Sequence, residues 1–215
     1  MFFDGASNVQ NAGRMLEARH PRITVGHGAE HVVSLFFSDV FTKMPEFEIL
    51  ASFAKKLRNI FGSTRHVTTA IFNRLSMKHN KGIRIGFIKP SDCRMAGHQI
   101  ALLRVLRLKD ALQATVTSTE FKELKVFTTI SYVLLQDEFW QYLFVMCRAL
   151  YAPMCLLRLA DMKIPAMDKL YFYVLQSERM IERWIQVAEE KHSKWGDGLL
   201  EVLRDTKDTA SEVVD

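Results

Sequence analysis

The chain has 215 residues, of which 48% are hydrophobic and 25% charged, with 10 glycines and 5 prolines. This composition is typical of an ordered globular protein and excludes collagen-like and low-complexity chains. No run of about 18 apolar residues and no basic segment before an apolar stretch is present, so neither a transmembrane helix nor a signal peptide is predicted. Three scattered cysteines favour reduced thiols in an intracellular, non-secreted protein.

The net charge of +5 is unevenly distributed along the chain. Residues 1–119 contain 17 Lys and Arg against 8 Asp and Glu, whereas residues 120–215 contain 12 against 16. A basic half favours contact with a polyanion such as nucleic acid, although many ordinary surfaces are equally basic.

Two short elements are predicted near the amino terminus. Ser7 and Asn8 are good N-cap residues, and a helix is predicted over Val9–Arg19. Ile23–Val25 is β-prone and predicts a short strand. A sheet of two strands needs a partner surface, so we expect further structure in front of Met1.

The rest of the chain reads as helical, with one exception. From Ala29 apolar residues recur on nearly all sides, which predicts a helix buried on most of its surface. In Met77–Ser91, basic and apolar residues alternate with a period of two, which predicts an edge strand or an extended arm. Further helices are predicted over Glu46–Phe61, from a cap at Ser63 or Thr64, and over Gly97–Thr115, Glu120–Leu135, Glu138–Leu159 (kinked or split by Pro153), Met167–Glu190 and near Trp195–Arg204.

Asp4, in the phrase DGASN, has two interpretations. It could cap the following helix as a first-turn anion, which is the commoner role of such a residue. It could also bind a divalent metal at the end of a strand, where α/β folds place their chemistry. Mg²⁺ usually needs more than one carboxylate, and no second acid with a recognisable context lies close by.

Two other groups are weighed in the same way. His27 and His31 have a spacing that could form half of a zinc site, but no cysteine lies nearby, so a buried, hydrogen-bonded His31 is favoured. Asp92 could cap the next helix, and Arg94 could bind an acid or a phosphate. The sequence has no nucleophile elbow, glycine-rich phosphate loop or HExxH motif, which leaves acyl transfer, nucleotide hydrolysis and zinc hydrolysis unsupported.

Five short motifs, in this order, resemble the hAT superfamily of DNA transposases, in particular transposase-like proteins with an RNase H-like fold. They are DGASN at 4–8, GAEHVVSL at 28–35 followed by Asp39, PSDCRM at 90–95, LRLKDAL at 106–112, and FW at 139–140 with PMCLLR at 153–158. The family's cysteine is replaced by Gly28 and its tryptophan by Met95.

The resemblance implies descent from a nuclease that uses three acids to hold two Mg²⁺ or Mn²⁺ ions. Asp4 matches the second acid, and neither the first nor the third has a counterpart in this chain. We therefore expect no bound cofactor and no transposase activity. His31, Asp39 and Asp92 are implied to be structural residues of the motifs.

The resemblance also implies the organisation of the chain. We expect a mainly α protein in which residues 1–95 form part of an RNase H-like α/β core with one to three short strands, including the basic one. Residues 96–204 would form a helical insertion domain, and residues 205–215 a disordered tail.

The function predicted is that of a truncated hAT-type protein, in the nucleus as its family implies or in the cytoplasm. Weak, non-specific DNA binding would use the basic residues Lys78, Lys81, Arg84, Lys89 and Arg94. No membrane contact is expected, and no homo-oligomer, since the family's dimerisation region is not matched. Two alternatives stay open: a helical protein–protein interaction module without DNA contact, and a wrongly bounded piece of an active transposase.

Overall fold

The structure is a computed structural model that describes residues 2–3, 7–23, 25–63, 66–90, 96–124, 127–160, 167–191 and 201–203. As predicted, the protein is mainly α. The strands are β1 (Phe2–Phe3) and β2 (Gly26–His27), and residues 201–203 are helical. The helices are α1 Ser7–Arg19, α2 Ala29–Lys43, α3 Pro45–Arg58 with a π-helical turn Asn59–Ser63, α4 His66–His79, α5 Gly97–Arg107, α6 Lys109–Thr117, α7 Thr119–Glu123, α8 Thr128–Leu135, α9 Asp137–Ala149, α10 Tyr151–Ala160 and α11 Met167–Lys191.

The strands form a two-stranded parallel sheet, in which Phe2 lies opposite Gly26 and Phe3 opposite His27. A parallel pair needs a crossover connection, which α1 supplies. The strand predicted over Ile23–Val25 therefore lies slightly later in the chain. Ile23 instead belongs to a turn, since its N–H donates to the carbonyl of His20 at 2.8 Å. Pairing with β1, rather than β propensity, decides which residues form the strand.

The prediction for α2 is wrong in one respect, because only one side of this helix is buried. Val33, Phe37 and Val40 face the core, where α2 packs against α3 and α10. Val32 and Leu35 are 53% and 52% exposed. An apolar pattern all round a helix therefore does not by itself imply burial all round.

Three predicted long helices are each divided in two. The backbone leaves helical geometry at Leu108, Phe127 and Leu150, which separate α5 from α6, α7 from α8, and α9 from α10. The break at Leu150 confirms the effect expected of Pro153. Pro153 is the third residue of α10, a position where the missing N–H costs no intrahelical hydrogen bond.

One buried cluster forms the core, and it includes residues from Val33 to Leu203. Its members include contacting aromatic rings: the Phe53 and Phe139 centroids are 5.2 Å apart, and those of Phe139 and Trp140 are 5.0 Å apart. The buried Trp140 indole N–H donates to the Leu134 carbonyl at 2.8 Å. The cluster draws on both sides of residue 95, and the domain division there stays a prediction.

The described residues include one helical stretch, Asp137–Ala160, that is long and apolar enough to cross a membrane by length and composition. Half of its most apolar window is buried inside the protein. The core helix of a globular protein satisfies the same criterion, and we interpret α9 and α10 in this way.

Candidate nucleic-acid interface

A stretch of 43 residues between Glu48 and Asp92 contains no acid. Acids make up 24 of the 215 residues, so an even distribution would place about five here. Its net charge of +9 equals the net charge of residues 1–119 as a whole. The stretch carries nine cations: Lys55, Lys56, Arg58, Arg65, Arg74, Lys78, Lys81, Arg84 and Lys89.

Not all nine cations face solvent freely. Lys56 is half-buried, and desolvation lowers its pKa. Arg74 is paired with Glu120, which follows the acid-free stretch, at 2.6 Å. Arg65 lies outside the described residues. Lys55 on α3 is exposed, and the other exposed cations without an ion pair among the described residues follow one another from the end of α4 onward, where we place the candidate surface.

A tight turn directs the chain out of α4. The N–H of Gly82 donates to the Met77 carbonyl at 2.8 Å, and that of Ile83 donates to the Asn80 carbonyl at 3.0 Å. Lys81 and Gly82 both have left-handed backbone, with φ of 54° and 81°. This is the hydrogen-bond pattern with which many helices end, although glycine usually occupies the position that Lys81 takes here.

After the turn, residues 83–90 form what we call the basic arm. The arm has no regular secondary structure, so the interpretation as an edge strand is wrong, whereas the arm interpretation stands. The predicted alternation is present only in part. Ile85 is buried and Phe87 packs with its ring centroid 5.2 Å from that of Phe72, while Arg84 and Lys89 are exposed, but Ile83 at the start of the arm is 66% exposed.

Helices on either side explain why the arm forms no strand. The Ile85 carbonyl accepts from the Ser76 hydroxyl of α4 at 3.0 Å. The Gly86 carbonyl accepts from Nη1 of Arg104 of α5 at 3.3 Å. Side chains thus bind the carbonyls that a neighbouring strand would use, and Ser76 is fully buried.

Four of the predicted DNA-binding residues share the exposed surface of the turn and the arm: Lys78, Lys81, Arg84 and Lys89. Within the described ranges none of them forms an ion pair, whereas Lys43, Arg74 and Lys109 each pair with an acid. Consecutive members are three, three and five residues apart, at most about 10–18 Å along an extended chain.

The other predicted site residues either lie on α2 or fall outside the described residues. Asp4, Asp92 and Arg94 lie outside the described residues. Asp39 is a surface residue of α2 whose carboxylate is 2.9 Å from the Lys43 amine, an ordinary pair one turn apart. His31 is half-buried rather than buried, in the first turn of α2, and its backbone N–H donates to the Gly28 carbonyl at 3.0 Å.

The described residues provide neither an activated nucleophile nor a cluster of three metal ligands. Burial raises the pKa of the Cys147 thiol to about 12, which leaves it a poor nucleophile at neutral pH. In the part of the chain that the structure describes, no group of three His, Cys, Asp or Glu side chains could hold a metal ion. Asp4 belongs to the part that is not described, so its ancestral metal role stays a prediction.

One open cavity lies between α4 and α7, with a volume of about 720 Å³. Val67, Ile71 and Leu124 line it together with the ion-paired Arg74 and Glu120. Arg74 is paired with Glu120, and the remaining charged residue of the lining is the acid Glu123, so the lining offers no unpaired cation for anion binding.

No protein-family model, curated protein or solved structure matches the chain significantly. The hAT resemblance therefore rests on the five sequence motifs. Sequence reasoning missed Arg104, which only the fold brings to the arm, and the acid-free stretch, which a count of acids along the chain reveals.

Proposed function

We propose that the protein is a transposase-derived protein of the hAT type that binds DNA through the turn after α4 and the basic arm, without cutting it. The observation that carries the proposal is the group of four exposed cations, none paired within the described residues, in a stretch that contains no acid. Such a group attracts a polyanion, because none of its members is paired with a carboxylate in the part of the chain that the structure describes.

The binding would be independent of base sequence. The arm is neither a helix nor a two-stranded ribbon, the elements that enter the major groove and read base edges. Lysine and arginine on an irregular segment bind phosphate oxygens and release counterions. With four phosphate contacts, log K would fall against log[salt] with a slope of about −3.6, or about 150-fold in affinity between 50 and 200 mM salt.

A second candidate function is supported by exposed apolar side chains. Tyr171, Phe172 and Val174 on α11, and Val32 and Leu35 on α2, are between 41% and 68% exposed. Exposed apolar residues on helices suit a protein–protein interaction module. These residues include no cation and would bind a partner even if the basic arm bound nothing.

The test is a salt titration with a fluorescent duplex of 30 base pairs, followed by anisotropy between 25 and 200 mM NaCl. One variant replaces Lys78, Lys81, Arg84 and Lys89 by glutamine. A control variant makes the same change at four exposed cations elsewhere: Lys122, Lys169, Arg179 and Arg183. We expect the wild type and the control to show the steep slope, and the arm variant to lose it together with most of the affinity.

Absence of binding by the wild type at 25 mM NaCl, or an equal loss in both variants, would refute the proposal and favour the interaction module. The part of the proposal that excludes cutting is tested with supercoiled plasmid and 5 mM Mg²⁺ or Mn²⁺, where no nicking is expected. Metal-dependent nicking that disappears in Asp4→Ala would show that an active nuclease site remains.

A further inference from the structure

Gly86 lies in the middle of the basic arm, and nothing in the described fold requires a glycine there. Its φ lies outside the left-handed range, in contrast to that of Gly82. A Cβ built on Gly86 would meet no heavy atom within 4 Å. Alanine would fit in both conformation and space, and glycine costs stability relative to alanine because its unfolded chain is freer.

Gly86 also has a main-chain hydrogen-bond donor that the described part of the fold does not use. Its N–H has no hydrogen-bond partner in the described part of the chain, whereas its carbonyl is held by Arg104 at 3.3 Å. The exposed Arg84 is two residues away. A main-chain N–H beside guanidinium groups is a combination that phosphate oxygens accept in protein–DNA contacts.

We propose that Gly86 is the point at which a DNA phosphate approaches the protein most closely, accepting a hydrogen bond from the Gly86 N–H next to the guanidinium of Arg104. This inference rests on the proposed function and adds to it a contact that carries no side-chain charge. A side chain at residue 86 would project into the open space and keep the phosphate from the main chain. Glycine is thus explained by the ligand rather than by the fold.

The experiment compares Gly86→Ala and Gly86→Val with the wild type in the same anisotropy titration, with Thr129→Val as an uncharged, exposed control in α8. We expect Gly86→Ala to keep or slightly raise the Tm while its Kd for the duplex rises about 10- to 100-fold, the effect of one lost hydrogen bond to a charged group. The slope of log K against log[salt] should stay unchanged, because no cation has been removed. Valine should weaken binding further.

The outcomes separate the two proposals. If the wild type binds DNA and Gly86→Ala binds equally tightly, the close contact at Gly86 is refuted while the basic arm keeps its function. If Gly86→Ala binds more weakly but with a shallower salt slope, the substitution has displaced the cations and the inference is again wrong. A wild type that does not bind refutes the proposed function itself.

Discussion

Replacing Lys81 by glycine should stabilise the fold and weaken DNA binding at the same time. Lys81 has φ of 54° at the end of α4, where the chain turns into the basic arm. Left-handed backbone costs an L-residue about 1–2 kcal/mol, and it costs glycine almost nothing. Part of that gain is offset by about 0.4–1 kcal/mol, because glycine makes the unfolded chain freer.

The net effect of Lys81→Gly is a rise of about 0.5–1 kcal/mol in the free energy of unfolding. For a chain of this length that corresponds to about 1–4 °C in Tm. Since one of four exposed cations is removed, the slope of log K against log[salt] should become shallower by about 0.9.

Thermal and urea denaturation measure the first effect, and the anisotropy titration measures the second. Lys81→Ala is the matched control, because it removes the same charge but keeps a Cβ in the left-handed region. We expect it to lose the same slope without the gain in Tm. If glycine is no more stable than alanine here, the backbone argument is wrong, and an unchanged slope in both variants would remove Lys81 from the DNA surface.

Two further predictions concern buried groups. The Tyr142 hydroxyl is buried without a hydrogen-bond partner among the described residues, and desolvation, followed by the charge of Glu46, raises its pKa. Tyr142→Phe removes this unpaired group and should raise the free energy of unfolding by about 1 kcal/mol in urea titrations. A fall in the free energy of unfolding would instead show that the hydroxyl has a partner. The Cys147 pKa of about 12 lies above the ordinary value of 9.0, so above pH 9 the unfolded thiol loses its proton while the folded one keeps it. The free energy of unfolding should therefore fall by about 1.4 kcal/mol from pH 8 to pH 10. If the buried thiol is the cause, the fall measured for Cys147→Ala over the same range should be smaller by that amount.

The helices could be predicted from sequence because their signals are local. The segments starting near Ala29, Gly97 and Met167 begin within a residue of the prediction, and the proline effect in α10 is confirmed. The break at Leu108 had no such signal. It separates α5 from α6, and the two helices have different packing partners. α5 packs against α3 and α9, whereas α6 packs against α4 and α8. Tertiary packing decides this bend, so a periodic pattern cannot show it.

The basic arm shows a different limit of sequence reasoning. Alternating residues predict which side chains face inward, and Ile85 and Phe87 do so, whereas Ile83 faces solvent. They do not predict whether the backbone meets another strand. Here Ser76 and Arg104 bind the carbonyls of Ile85 and Gly86, and both partners come from helices. The period of a sequence thus reports the environment of side chains more reliably than the partner of the backbone.

The four cations of the turn and the basic arm differ in whether the fold itself gives them a stabilising role. Lys78 lies in the last turn of α4, where a cation offsets the partial negative charge of the helix terminus. Lys81, Arg84 and Lys89 lie beyond that turn and pair with no acid among the described residues, so their mutual repulsion destabilises the fold slightly. A single carboxylate in the acid-free stretch would relieve this repulsion, as Glu120 does for Arg74. Under the proposed function, an external polyanion would account both for the missing acids and for a glycine that the described fold does not need.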